Sequence, residues 1–80
     1  MTIDVLMPAL SPEMEEGTLV RWLVGPGDRV SRGDVLAEIE TDKATVEIEA
    51  LVDGVVEALL VSEGTSGVKI DTPIAQIGEG

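Results

Sequence analysis

One lysine stands out because it lies in a short polar segment between two strand-like segments. Lys43 follows Asp42, precedes Ala44, and is one of two lysines in the chain. A lysine amine is protonated near neutral pH, and the nearby carboxylates of Glu40, Asp42 and Glu47 favour that charged form. Such an amine is a poor nucleophile, since nucleophilic lysines are desolvated or lie beside other cations. If Lys43 is acylated, a separate enzyme must perform the reaction.

The composition excludes several kinds of site. The 80 residues include no histidine and no cysteine, and 16 acidic against 5 basic residues give a formal net charge of −11. Histidine general bases, Ser-His-Asp triads and histidine or thiolate metal ligands are therefore excluded. We predict no catalytic residue and no metal site. The acidic charge also argues against binding to nucleic acid or to an anionic membrane, and favours solubility.

The segments on either side of Lys43 read as strands. Residues 35–40 are rich in aliphatic side chains, and residues 46–50 alternate apolar with acidic. An alternation of period two indicates a half-buried strand. The polar segment between them is short enough for a β-hairpin turn. We therefore expect Lys43 at the tip of a hairpin, with its side chain in water.

The rest of the chain also reads as strands separated by turns. No segment shows a helical period, and Gly, Pro, Asp and Ser cluster at regular intervals. Pro8 and Pro12 cannot donate to a sheet, so residues 9–16 are predicted to be a loop. About eight short strands are expected, in residues 3–7, 18–24, near 30, 35–40, 46–50, 55–61, 68–70 and 74–77. Residues 1–77 are predicted to be one domain and residues 78–80 the start of a flexible linker.

The two halves of the chain resemble each other. Gly17 and Gly27 recur as Gly54 and Gly64, and residues 36, 37 and 39 recur as Ile74, Ala75 and Ile77. Such a duplication predicts two similar halves that pack face to face about a pseudo-twofold axis. The Lys43 tip and the end of the chain should then lie at opposite ends of the domain. Strict alternation places Arg21 and Glu57 on opposite faces of their strands, so the same face cannot be fully buried in both. A β-bulge near Trp22 would remove this conflict and is therefore predicted.

The segment Glu40-Thr41-Asp42-Lys43-Ala44 resembles the attachment motif of lipoyl domains in 2-oxo acid dehydrogenase complexes. The resemblance covers nearly the whole chain. It includes Trp22 with Gly27-Asp28, then Val30 and Gly33-Asp34, and the run Leu36-Ala37-Glu38-Ile39 before the motif. A further match is to the first surface loop of pyruvate dehydrogenase-type lipoyl domains, through Leu10, Ser11, Pro12, Glu13, Met14, Glu15, Glu16 and Gly17.

The resemblance implies a fold and a function. The fold is a flattened β-barrel or sandwich of two four-stranded antiparallel sheets. Lipoate would be amide-linked to Lys43, with Asp42 and Ala44 framing the lysine for a lipoyl ligase or lipoyl transferase. The arm would carry acyl groups and reducing equivalents between a thiamine-diphosphate 2-oxo acid decarboxylase, an acyltransferase core and a dihydrolipoyl dehydrogenase. The loop of residues 10–16 would be the partner-recognition surface.

Four alternatives compete with this interpretation. Biotinyl carrier domains also place a lysine on a hairpin, but methionines normally flank it, where this chain has Asp42 and Ala44. An unmodified β-domain that only binds partners is a second alternative, and the glycine-cleavage carrier is a more distant lipoylated relative. An enzyme is least favoured, because the chain offers no histidine, cysteine or recognisable pair of catalytic carboxylates.

The sequence also indicates a setting for the domain. It shows no signal peptide and no apolar run long enough for a spanning helix. We expect a monomeric domain in the bacterial cytoplasm, or in the mitochondrial matrix if a transit segment was removed. The parent chain would be the acyltransferase subunit or the decarboxylase beta subunit of a complex that acts on pyruvate.

Overall fold

A computed structural model of the chain describes residues 2–9 and 12–79. These residues form strands and connections without a helix, so none of them forms a helix that spans a membrane. The strands are β1 (Thr2–Leu6), β2 (Glu16–Trp22), β3 (Arg29–Val30), β4 (Val35–Glu40), β5 (Thr45–Glu49), β6 (Gly54–Leu59), β7 (Thr65–Lys69) and β8 (Pro73–Gly78). The predicted all-β class is confirmed.

The strands form two antiparallel sheets of four strands each. One sheet has the order β1-β8-β6-β3 and the other the order β5-β4-β2-β7. The sequence repeat makes β2 equivalent to β6 and β4 equivalent to β8. With these equivalences the two sheets have the same strand order, β1 corresponding to β5 and β3 to β7. The predicted pseudo-twofold relation between two four-stranded sheets is therefore confirmed at the level of topology.

A bulge in each half reproduces the duplication in detail. Leu19 pairs with Ile39 and Arg21 with Glu38, so the residue between them on β2, Val20, has no partner on β4. On β6 and β8 the same shift leaves Glu57 unpaired, between Val56 and Ala58. A bulged residue shifts the alternation of faces along its strand. The predicted bulge thus exists two residues before Trp22, and a second one explains the conflict at Glu57.

The core consists of two clusters, one toward each end of the domain. Ile39 and Ile74 belong to the first cluster, while Leu36 and Ile77 belong to the second. The end of β4 therefore lies beside the start of β8, and the end of β8 beside the start of β4. Each fully buried aliphatic side chain contributes about 1.5–3 kcal/mol through removal from water. Trp22 packs against both clusters and joins them.

This arrangement separates the lysine turn from the chain end. The turn follows Ile39 and leaves the first cluster, whereas Gly78 follows Ile77 at the second. The domain is 35 Å long and 21 by 18 Å across. The prediction that Lys43 and the chain end lie at opposite ends of the domain is confirmed.

Most strand boundaries lie one to three residues from those predicted, and three of these differences have an identifiable cause. β2 covers Glu16–Trp22 rather than residues 18–24, because Glu16 and Gly17 already pair with β7. β7 begins at Thr65 rather than residue 68, because a tight turn closes there, with the Thr65 hydroxyl donating to the Ser62 carbonyl at 2.7 Å. β8 includes Gly78, which the sequence placed after the domain but which pairs with both Thr2 and Val55.

Candidate functional site

The turn between β4 and β5 is organised by the hydroxyl of Thr41. Its oxygen accepts hydrogen bonds from the backbone amides of Lys43 and Ala44, each at 3.3 Å, and the hydroxyl donates to the Ala44 carbonyl at 3.0 Å. The Thr41 amide donates to the same carbonyl at 2.9 Å. A threonine that bonds to the backbone a few residues ahead stabilises a tight turn. Four residues, Thr41 to Ala44, therefore connect the strands with their backbone largely satisfied.

Lys43 lies at the tip of this turn with its side chain in solvent. The side chain is 77% exposed, and the neighbouring Asp42 and Ala44 are exposed as well. The lysine Nζ lies 3.8 Å from the Glu13 Oε2, and the Glu13 side chain is 85% exposed. An ion pair this exposed contributes little to stability. The amine is thus accessible from outside, while the strands behind it fix where it stands.

The loop before β2 faces the lysine turn across an open crevice. Its lining comes from the loop, from the turn and from the start of β5: Glu13, Met14, Glu15, Glu16, Thr41, Asp42, Lys43, Ala44 and Val46. The crevice has a volume of about 450 Å³. Met14 packs against the core cluster nearest the turn and anchors the loop there. The loop and the turn therefore form one surface.

The structure brings most of the predicted site residues together. Glu13 to Glu16 and Asp42 to Ala44 line the same crevice, although Glu16 belongs to β2 rather than to the loop. Pro12 is exposed but does not line the crevice. Leu10 and Ser11, which the sequence also assigned to the recognition loop, lie outside the described residues.

The charge of this surface is mostly negative. Glu13, Glu15, Glu16 and Asp42 line the crevice, against the single ammonium group of Lys43. Amide formation at Lys43 would remove that positive charge and leave the carboxylates without their one cation in the crevice. A partner that recognises the modified domain here should present basic side chains.

Two residues of the site escaped the sequence analysis. Thr41 appeared there only as part of a motif, although its hydroxyl makes the hydrogen bonds that shape the turn. The signal was available, since threonine two residues before a turn tip is a recognised turn former. Val46 also lines the crevice. Its contribution depends on how the loop packs, which no local sequence signal indicates.

Comparison with known proteins identifies the family. The family described as "Biotin-requiring enzyme", which covers biotinyl and lipoyl domains, matches residues 3–77. This chain belongs to the biotinyl and lipoyl domain family. The lipoyl domain of the 2-oxoglutarate dehydrogenase complex from Azotobacter vinelandii is similar over 98% of both chains, with a TM-score of 0.78 and 32% identity. The chain is thus a lipoyl domain in sequence and in fold, as predicted.

Similar segments also occur in larger proteins. Over 94% of the chain, the lipoyl domain is 63% identical to the pyruvate dehydrogenase E1 component subunit beta of Rhizobium meliloti. It is 59% identical to the dihydrolipoyllysine-residue acetyltransferase component of the pyruvate dehydrogenase complex of the same organism. The chain spans only 16% and 17% of those two proteins. The predicted lipoyl type of domain is confirmed.

Proposed function

We propose that the lipoyl domain carries lipoate in amide linkage to Lys43. The main support is the position of this lysine, which is 77% exposed at the tip of a turn held by Thr41. An attachment site of this kind must offer a primary amine that a modifying enzyme can reach, and the Lys43 side chain meets that need. When attached, lipoate supplies a cyclic disulfide that takes up acyl groups and electrons, chemistry that a chain without cysteine lacks.

The protein itself supplies position and recognition in this proposal. Thr41 fixes the turn, and Asp42 and Ala44 frame Lys43 for a lipoyl ligase or lipoyl transferase. The loop of residues 10–16 identifies the domain to its partners, because Glu13 to Glu16 share a crevice with the lysine. The domain performs no catalysis of its own and acts as a monomer, without binding nucleic acid or membrane.

We propose three enzymatic partners in one complex. They are a thiamine-diphosphate 2-oxo acid decarboxylase, an acyltransferase core and a dihydrolipoyl dehydrogenase. The 2-oxo acid is pyruvate, because similar segments occur in two components of pyruvate dehydrogenase complexes. The parent chain is of one of those two kinds, the decarboxylase beta subunit or the acetyltransferase. The two relatives from Rhizobium are bacterial and favour a bacterial cytoplasm over a mitochondrial matrix.

We also propose that a flexible linker follows the domain. Because Gly78 is buried in β8 between Thr2 and Val55, the linker begins at Glu79, one residue later than the sequence indicated. A linker that leaves from this end keeps the Lys43 tip free to visit other active sites.

Intact-mass spectrometry after treatment with lipoyl ligase, lipoate and ATP tests the attachment. We expect the mass of one lipoyl group on the wild type and on Lys69→Arg, and none on Lys43→Arg. Both substitutions keep a positive charge, so they form a matched pair. Biotin ligase should add nothing in parallel. Lipoylation of Lys43→Arg, or uptake of biotin, would refute the proposal, and uptake of neither group would favour a domain that only binds partners.

A second experiment tests the recognition loop. Glu13→Gln and Glu15→Gln should slow reductive acylation by the decarboxylase more than they slow lipoylation, since both carboxylates lie beside the arm without framing the lysine itself. Glu79→Gln, at the opposite end of the domain, is the control with the same change of charge. Equal slowing of both reactions by the loop variants would argue against a recognition role.

A further inference from the structure

A second groove runs along the side of the domain where an edge strand of one sheet faces an edge strand of the other. β1 and β5 each stand at the end of their sheet order. The groove between them has a volume of about 450 Å³ and shares no lining residue with the Lys43 crevice. A molecule bound there would leave the lysine turn free.

The groove is largely apolar and partly exposed. Leu51 is 80% exposed, Ile3 48% and Leu6 43%, and all three line it. Deeper apolar contacts come from Val5, Ile48 and Val52. These three leucine and isoleucine side chains are half of the exposed large apolar residues among those that the structure describes. Exposed apolar side chains gathered in one concave place indicate a binding surface rather than random surface residues.

The rim of the groove is acidic. Asp4, Glu47, Glu49 and Asp71 line it, and no lysine or arginine does so in the part of the chain that the structure describes. The two ion pairs of the described residues, Arg21 with Glu38 and Lys43 with Glu13, lie elsewhere. Among the described residues no lysine or arginine forms an ion pair with these four carboxylates, although Asp4 accepts a hydrogen bond from the Gln76 side-chain amide at 3.3 Å. The rim therefore complements a basic ligand.

The opposite side of the sandwich is covered by the connections that follow β2 and β6. There the connections after β2 and β6 cross between the sheets and are tied down by backbone hydrogen bonds from Gly27 to Val56 and from Gly64 to Leu19, both at 2.7 Å. The Trp22 indole fills the space and donates to the Val61 carbonyl at 2.8 Å. On the β1–β5 side the connections after β1 and β5 also cross between the sheets, and Met7, Pro8, Leu51 and Val52 from them line the groove. Leu51 is still 80% exposed there, so the groove is open to solvent.

We propose that this groove binds an extended segment of a partner protein in which apolar residues alternate with lysine or arginine. Its apolar side chains would cover Ile3, Leu6 and Leu51, and its cations would meet the four carboxylates of the rim. The free edge of β1 offers backbone groups for pairing with such a strand. A second copy of the domain is a poor occupant, because each copy carries a formal net charge of −11. The proposal does not depend on lipoylation.

NMR titration of the ¹⁵N-labelled, unmodified domain tests the proposal. The probe is a short synthetic peptide that alternates lysine with valine. Amide shifts should change along β1 and β5 and at Leu51, and the dissociation constant should rise steeply with salt. Leu51→Ser should weaken binding about tenfold, the loss expected when one apolar contact of about 1.4 kcal/mol is removed. Leu60→Ser, an exposed leucine outside the groove, should leave binding unchanged.

Charge is tested by two matched double variants. Glu47→Gln with Glu49→Gln should weaken binding of the Lys-Val peptide, whereas Glu15→Gln with Glu16→Gln, in the Lys43 crevice, should not. A peptide that alternates lysine with serine should bind much more weakly, and one that alternates glutamate with valine should not bind. Equal binding of the Lys-Ser peptide, shift changes confined to the Lys43 crevice, or a dimer in sedimentation that Leu51→Ser disrupts would each overturn the proposal.

Discussion

The β4–β5 hairpin and the β8–β1 strand pair occupy equivalent positions in the two sheets, but only the hairpin carries a connecting turn. Ile39 pairs with Val46 and Glu38 with Glu47 in the first pair, while Ile77 pairs with Ile3 and Gln76 with Asp4 in the second. Both pairs lie at the same place in their sheets. The first is joined by the Lys43 turn, and the second is left open as the two ends of the described chain.

The comparison indicates that the two-sheet fold does not require the lysine turn. The hydrogen bonds of the turn run between the Thr41 hydroxyl and the turn's own backbone, so the turn does not depend on hydrogen bonds to core residues. The equivalent end of the frame stands without any turn. Stability therefore resides in the duplicated strands, whereas the function proposed above uses the four residues of the turn at one end and the loop beside them.

The largest difference between the halves in the stability lost on mutation should appear at two equivalent glycines. A Cβ on Gly54 would collide with the Gly78 carbonyl oxygen and would lie 2.7 Å from the Ile77 Cγ2. A Cβ on Gly17 would meet the Met14 Cε, the end of a flexible side chain, at 3.0 Å and the equivalent Ile39 Cγ2 and Glu40 carbonyl oxygen only at 3.1 and 3.4 Å. We expect Gly54→Ala to lower the free energy of unfolding by about 3 kcal/mol and Gly17→Ala by about 1 kcal/mol. Urea denaturation followed by circular dichroism measures both.

The pair is its own control, since both variants make the same change at matched positions. Equal losses would mean that the two halves pack their sheets equally closely at these glycines. A larger loss for Gly17→Ala would mean that the Met14 side chain cannot move aside, and that the loop is more rigid than its exposure indicates.

A smaller contrast should appear at Trp22, whose counterpart in the second half is Leu59. Trp22 packs against both core clusters and donates to the Val61 carbonyl, whereas Leu59 packs against one cluster. Trp22→Leu places leucine at the equivalent position of both halves. It should lower the free energy of unfolding by about 2 kcal/mol, because packing and one hydrogen bond are lost. Circular dichroism in urea gives the value, because the variant lacks tryptophan fluorescence. Leu23→Ala, at an exposed neighbour, should cost far less; comparable losses would contradict the bridging role of Trp22.

The smallest contrast should appear at Arg21, whose counterpart is Ala58. The Arg21 Nε lies 2.6 Å from the Glu38 Oε1, with the two side chains 58% and 25% exposed. Water and salt screen such a pair, so Arg21→Ala should cost only about 0.5 kcal/mol. A double-mutant cycle with Glu38→Gln, repeated in high salt, isolates the interaction. A coupling energy that salt does not reduce would show that the pair is better shielded than its exposure indicates.

Much of the fold follows from patterns that are local or repeated. The alternation in residues 46–50, the glycine-centred turns and the repeat of Leu36-Ala37 as Ile74-Ala75 predicted the class, the number of strands and the opposite placement of Lys43 and the chain end. The bulges were harder, because a bulge depends on which strand lies alongside. The sequence showed a conflict near Trp22, but only the pairing with β4 locates the unpaired Val20.

The site divides in the same way. Lys43, Asp42 and Ala44 are adjacent in sequence, so their place on one turn was predictable from the segment alone. The contact of Lys43 with Glu13 and the packing of Met14 under the loop join residues far apart in the chain, and they depend on the packed core. The start of β2 at Glu16 was missed for the same reason, since its partner is Lys69 on β7.

The pairing of Thr2 with Gly78 has a mechanical consequence. The two residues lie opposite each other at the start of β1 and the end of β8, and β1 has one neighbour in the described sheet. A pull on these two ends would load the hydrogen bonds between the strands one after another, as in a zipper, rather than all at once. Tension would peel β1 away first and open the side of the sandwich that it forms with β5, while the turn at Lys43 would carry none of the load.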